Sequence, residues 1–166
     1  MFLLGNVEVV VDVRLVYGHK RALAIARLAE AWGDPVVVRG VAYEFEECEV
    51  FMAGDMEGLA AISGLDRPIA ELVALNAFTP WRGVGTALLE ALVAHLDMKF
   101  HTLRLTTTND NLEALRFYQR RGFRLSALRP GAVDQARPRK PSIPQLGAYG
   151  IPIRDEIDLI LPLRRE

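Results

Sequence analysis

The chain has 166 residues, about half of them hydrophobic and a quarter charged, with a formal net charge of −1 at pH 7. That length and apolar content fit one globular domain with a sizeable core, and exclude two domains or a long disordered tail. Acidic and basic residues are mixed, leaving no electrostatic footprint for nucleic acid.

Residues 1–4 carry no basic leader, and the apolar run 7–16 is broken by Glu8, Asp12 and Arg14, so a soluble, cytoplasmic protein with no membrane partner is expected. The same run alternates well enough for a strand. Residues 19–31 then place Leu23, Ala24, Arg27 and Leu28 at helical spacing until Trp32-Gly33-Asp34-Pro35 stops them. Residues 36–38 and 50–53 are β-rich runs, and Gly54-Asp55 reads as a two-residue turn into 58–63, which predicts a small antiparallel meander. Cys48 is the lone cysteine and lies in the acidic stretch 44–49. It forms no internal disulfide, has no sequence-local base or cation, and reads as structural.

Residues 69–77 are mostly apolar with Glu71 near their start, as a central strand would be. They feed Phe-Thr-Pro-Trp-Arg-Gly-Val-Gly-Thr-Ala-Leu-Leu, a glycine loop opening a helix over 84–96 whose stripe is Leu88, Leu89, Leu92, Val93 and Leu96. The free N–H groups and positive dipole end of such a helix start can hold a phosphate. Two common phosphate readers are disfavoured. A dinucleotide loop needs a third glycine where Leu88 stands, and no Gly-Lys-Ser/Thr triplet exists for a nucleoside-triphosphate loop.

Residues 102–108 are predicted as a strand. A second helix is expected from Asn109-Asp110 to Arg121, with Asp110 and Glu113 as a capping box, Asn111 in the first turn, and Gly122 as a left-handed stop. Asn111, Ala114 and Tyr118 share a face. Seven residues of helix advance about 10 Å, so an amide and a phenol there could reach one extended ligand past the small Ala114. Strands are expected over 123–128 and 156–163. The segment 129–153 between them is rich in Pro, Gly and basic residues without periodicity, and a connection that long is usually functional or disordered.

A glycine loop opening a helix, then a strand, then Asn-x-x-Ala-x-x-x-Tyr-x-x-x-Gly-Phe resembles the GNAT superfamily of acyl-CoA-dependent N-acetyltransferases, over roughly residues 69–128. The resemblance implies a single α/β domain spanning the chain, with a mixed, mostly antiparallel central sheet flanked by helices. It implies acetyl-CoA as cosubstrate, with Arg82, Gly83, Val84, Gly85 and Thr86 at its pyrophosphate, Leu75 pairing with the pantetheine arm, Asn111 steadying that arm, and Tyr118 protonating the departing thiolate. The family's Gln/Arg-x-x-Gly-x-Gly/Ala loop fits in two registers. Arg82 to Ala87 matches literally, whereas alignment on the helix leucines puts Pro80, which has no N–H, at the first position.

Amine attack on a thioester needs a deprotonated amine, a held oxyanion and a protonated leaving thiolate, and a phenol of pKa near 10 suits the last task. Glu71 is the leading candidate for the general base. Glu44, Glu46, Glu47 and Glu49 could attract a cationic amine, and Asp155, Glu156 or an ordered water are further options. Trp32 and Arg39 are candidates for the acceptor cleft, and the proline-rich stretch 138–144 for its cover. His19, His95 and His101 share no ligand spacing with cysteine or acidic residues, so no metal is expected. The expected activity is acetyl transfer to a primary amine of a small molecule or peptide, and a homodimer is compatible with it. The alternatives are a CoA-binding sensor or interaction module without turnover and, more weakly, a dinucleotide binder.

Overall fold

The structure is a computed structural model that describes residues 10–64, 68–79, 82–96 and 102–163. The first three residues of the expected strand 7–16, together with Pro80 and His101, lie outside them. In chain order the elements are β1 (Val13–Leu15), α1 (Gly18–Trp32), β2 (Val36–Val38), β3 (Val41–Tyr43), β4 (Glu49–Ala53), β5 (Gly58–Ser63), β6 (Ile69–Ala77), α2 (Val84–Leu96), β7 (Thr102–Thr108), α3 (Leu112–Gln119), β8 (Arg124–Arg129), α4 (Ala132–Ala136) and β9 (Glu156–Pro162).

A seven-stranded sheet runs in the order β1-β4-β5-β6-β7-β9-β8, with β2 and β3 forming a separate hairpin. Every neighbouring pair in the large sheet is antiparallel except β6 and β7. This is the mixed, mostly antiparallel α/β domain that the motif resemblance implies. The parallel pairing covers only Ile69 to Leu72 against Thr102 to Leu105. It ends where β6 carries an extra residue, since Ile62 pairs with Leu72 but Ala61 pairs with Ala74, leaving Val73 unopposed. Such a bulge bends its strand and raises the local twist. β6 therefore turns away from β7, and the sheet opens into a V.

Alternation along the strands sends two apolar sets to opposite faces. Leu72, Leu103, Leu105 and Leu159 meet the Leu88, Leu89, Leu92 and Leu96 stripe of α2 together with Tyr118 and Phe123. On the other face Val50, Met52, Leu59, Ala61 and Val73 pack on Ala24, Ile25 and Leu28 of α1 and on Val36 and Phe45. Each fully buried leucine contributes about 1.5–3 kcal/mol relative to exposure.

Three expectations about local structure are corrected. Residues 36–38 do not join the meander but pair with Val41–Tyr43 across the Arg39-Gly40 turn, where both residues adopt positive φ. The β4–β5 turn spans four residues rather than two, Ala53 pairing with Gly58, with Gly54 and Met56 left-handed. The N-cap of α3 is Asn111, whose side-chain oxygen accepts the Ala114 N–H at 3.2 Å, not Asp110. The Asp110 carboxylate is drawn off by the Thr108 hydroxyl at 2.5 Å and the Ala148 N–H at 3.0 Å. Gly122 does take a positive φ of 90° after the helix.

The long 129–153 segment is packed. Val133, Ala136 and Ile153 are buried, and Arg139 and Lys140 donate to the Gly40 and Trp32 carbonyls.

Candidate active site

The V between β6 and β7 is a cleft of about 690 Å³ bounded by the start of α2 and one flank of α3. Beyond Leu72 the β7-facing edge of β6 has no partner strand, so its backbone groups, including those of Leu75, are open to a ligand.

At the start of α2 the first intrahelical bond runs from the Ala87 N–H to the Gly83 carbonyl at 2.9 Å. The N–H groups of Val84, Gly85 and Thr86 thus precede it and have no partner within the helix. Gly83 holds φ at +72°, and a Cβ there would meet nothing within 4 Å, so the turn faces open space. Gly85 is needed for a different reason. A Cβ there would lie 3.3 Å from the Phe117 ring and 3.7 Å from Leu75, so a side chain would press on Phe117 where the bare backbone passes between α3 and β6. Gly58, which the sequence reading did not single out, has a similar role, because its Cβ would collide with Val84 and hold the helix start off the sheet.

Arginines gather at the same end. The Arg121 guanidinium lies 3.7 Å from the Phe117 ring centroid and donates through Nε to Thr86 Oγ1 at 3.2 Å. Burial and its neighbour Arg120 lower the pKa of Arg121. Arg116 and Arg120 also line the cleft. These three were missed; the signal was their spacing around Tyr118, on α3 and in the turn that follows it. Arg82 is exposed and leans toward Glu57, 3.8 Å away.

Tyr118 is 8% exposed and lines the cleft, held edge-on by Phe117 and Phe123 at 5.0 and 5.2 Å between ring centroids. Burial pushes its pKa above that of an ordinary phenol, and the opposing charge of Arg121 does not offset it. The hydroxyl is therefore a proton donor at neutral pH. Asn111 lines the cleft while its oxygen caps α3.

Glu71 sits differently. It is 2% exposed, faces away from α2, and accepts from Arg39 Nη1 at 2.8 Å and from Arg104 Nε at 2.9 Å. Both oxygens are engaged by cations, and it is not among the cleft-lining residues. The cluster continues along that sheet face: Arg39 also meets Thr106, Tyr43 and Asp158, and Arg129 makes a two-pronged contact with Asp158, both at 2.6 Å. Glu156 takes the Arg39 backbone N–H at 3.0 Å and Arg129 Nε at 3.1 Å. Arg39 thus points into a buried ion cluster, whereas Trp32 borders the cleft.

A second cavity of about 190 Å³ shares Trp32, Val73, Thr106, Thr107 and Asn111 with the first, and extends beneath β2 and the 129–153 segment. Glu156, Lys140 and Ile143 are among its walls. None of Glu44, Glu46, Glu47 and Glu49 lines either cavity; Glu46 pairs with Arg21 and Glu49 with His95, each at 2.7 Å. Asp155 accepts the Gly131 N–H at 2.8 Å. The Cys48 thiol is buried, its pKa pushed up to about 12 by burial and by Asp34 and Glu47, so it stays protonated. Among the described residues no group of three or more His, Cys, Asp or Glu is placed to hold a metal, and no helix is long and apolar enough to cross a membrane.

An open strand edge, unpaired helix-start amides, an arginine rim and a buried phenol fit a long, thin polyanion. The sequence profile of the Acetyltransferase (GNAT) family matches residues 58–123, and the chain belongs to that family. It is 37% identical over 147 residues to the Bacillus subtilis (strain 168) protein YxbD, covering 86% of this chain and 92% of that one. It is 36% identical over 139 residues to YdhI of the same strain, covering 78% and 84%. Both relatives are described as uncharacterized. Among solved structures it is similar to a GNAT family acetyltransferase from Elizabethkingia anophelis with acetyl-CoA bound, with a TM-score of 0.69, 17% identity, and 92% and 97% of the two chains covered. It is likewise similar to a Bacillus subtilis acetyltransferase in complex with CoA, with a TM-score of 0.69, 17% identity, and 92% and 99% covered.

Proposed function

We propose that the protein transfers the acetyl group of acetyl-CoA to a primary amine, with Tyr118 as the proton donor. The observation that carries this is the splay of β6 from β7 at Val73, which opens a path through the sheet between the α2 amides and the Tyr118 ring. The amides of Val84, Gly85 and Thr86, with the Gly83 turn and Arg82 beside them, hold the pyrophosphate, and the Arg116, Arg120 and Arg121 rim adds positive charge. The open edge of β6 at Leu75 pairs with the pantetheine amides, and Asn111 flanks the arm near its sulfur end.

Acetyl-CoA supplies the thioester. The acceptor nitrogen bonds to its carbonyl carbon as the carbon–sulfur bond breaks, the Tyr118 hydroxyl gives its proton to the sulfur, and the second proton that the nitrogen loses as the amide forms restores the phenol. Burial keeps the phenol protonated and so available as the donor to the departing thiolate. The proton lost by the acceptor ammonium goes to Glu156, directly or through a water, because Glu156 is the carboxylate on the wall of the adjoining cavity. Glu71, with an arginine on each oxygen, serves as the anchor of the ion cluster.

Turnover with an amine panel tests this reading. Tyr118→Phe is expected to lower kcat about a hundredfold while acetyl-CoA affinity holds. Unchanged turnover would remove Tyr118 from the chemistry, and acetyl-CoA binding without transfer to any amine would favour a CoA-binding module.

A further inference from the structure

The smaller cavity holds one feature that acetyl-CoA binding leaves unused. Its walls are mainly apolar, among them Val36, Val38, Val73, Val133 and Ile153, yet Lys140 lines it as well. Lys140 Nζ donates to the Trp32 carbonyl at 2.7 Å, at the end of a helix whose last turn carries no basic residue. Among the described residues its one side-chain hydrogen bond is to that carbonyl, with no carboxylate within salt-bridge distance, and burial, only partly opposed by Asp34, lowers its pKa. Of the other charges nearby, Glu156 and Asp158 are held by Arg129, and the Asp34 carboxylate accepts the Phe45 N–H. A half-buried ammonium on an apolar wall, held by a carbonyl but by no carboxylate, is stabilised by an anion that arrives with its own apolar frame.

Resting on the acetyl-transfer reading above, we propose that the acceptor is a small aliphatic amino carboxylic acid. Its carboxylate pairs with Lys140, its carbon frame fills the 190 Å³ cavity, and its amine turns toward Thr107 and Asn111, where this cavity adjoins the cleft. The cavity suits a compact molecule with a single ammonium, and a polyamine or aminoglycoside would bring a second cation against Lys140.

The test uses the full chain with aliphatic amino acids from glycine to leucine and γ-aminobutyrate. Each is paired with its carboxamide, which keeps the amine and removes the anion, and a leucine-initiated peptide is added. For at least one acid, kcat/KM is expected to exceed that of its carboxamide by about tenfold, the worth of one charge-assisted hydrogen bond. Lys140→Met should erase that difference by lowering the acid alone. Carboxamides or the peptide matching the acids in wild type, or Lys140→Met lowering every acceptor equally as loss of an α1 cap would, overturns the proposal. Should no amine be acetylated, calorimetry on the CoA-loaded protein still decides. Lys140-dependent binding of an acid upholds the site while transfer fails, and no binding of any acid at millimolar concentration overturns it.

Discussion

The cleft between β6 and β7 and the ion cluster beneath the β2–β3 hairpin are built by different means. Around the cleft, the shape is set by backbone geometry: a bulge at Val73, a positive φ at Gly83, a side-chain-free Gly85, and amides that precede the first helical hydrogen bond. Beneath the β2–β3 hairpin it is set by long-range ion pairs, with the Arg39 guanidinium bound to Glu71, 32 residues away in the chain. The first kind of site is sensitive to added side chains. The second is sensitive to loss of charge.

That contrast can be broken most forcefully at Asp158. Its carboxylate is buried, which by itself raises its pKa, but hydrogen bonds from Arg129 and Thr106 and the charges of Arg129 and Arg39 outweigh this and hold it below the usual value. Stability from a lowered carboxylate pKa is fully present above the unfolded value near 3.9 and is lost as pH falls toward the folded value. Asp158→Asn is therefore expected to cost about 3 kcal/mol in urea unfolding at pH 7, at the low end for a broken buried pair because Arg129 keeps Glu156. It should also flatten the loss of stability below about pH 4. An unchanged urea midpoint would mean that the ion cluster contributes nothing.

On the cofactor side, Gly85→Val is expected to weaken acetyl-CoA binding by about tenfold or more by calorimetry, as the side chain presses Phe117 and Leu75 and displaces the helix-start amides. The ion cluster lies on the opposite face of the sheet, so the acid dependence of stability should not move. A smaller effect sharpens the boundary. Asn111→Ala removes the α3 cap and should cost about 1 kcal/mol in urea unfolding. An accompanying rise in KM for acetyl-CoA would show that Asn111 also serves the arm.

The same contrast explains what could be read from the chain alone. β6, α2 and β7 lie where apolar runs and helical periodicity put them, and α1 is one residue longer at each end than its pattern suggests. These signals are local. The pairing of β2 with β3 was not legible, because three-residue strands carry no periodicity and Arg39 takes a positive φ where glycine would be expected. The cap of α3 was misassigned by one residue because Asp110 and Asn111 are both good caps, and the choice is made by Thr108 and Ala148 from outside the helix. Nothing near Glu71 in sequence announces that Arg39 and Arg104 take both of its oxygens, and nothing near Lys140 announces that it borders a cavity with Val36. Side chains that converge from distant strands leave no spacing to read.

The most direct measurement is a crystal structure of the complex with CoA. The account predicts the diphosphate on the Val84, Gly85 and Thr86 amides, the pantetheine arm along the open edge of β6 beside Leu75, and the sulfur within hydrogen-bond reach of the Tyr118 hydroxyl. A diphosphate seated away from the start of α2, or a sulfur remote from that phenol, would contradict it.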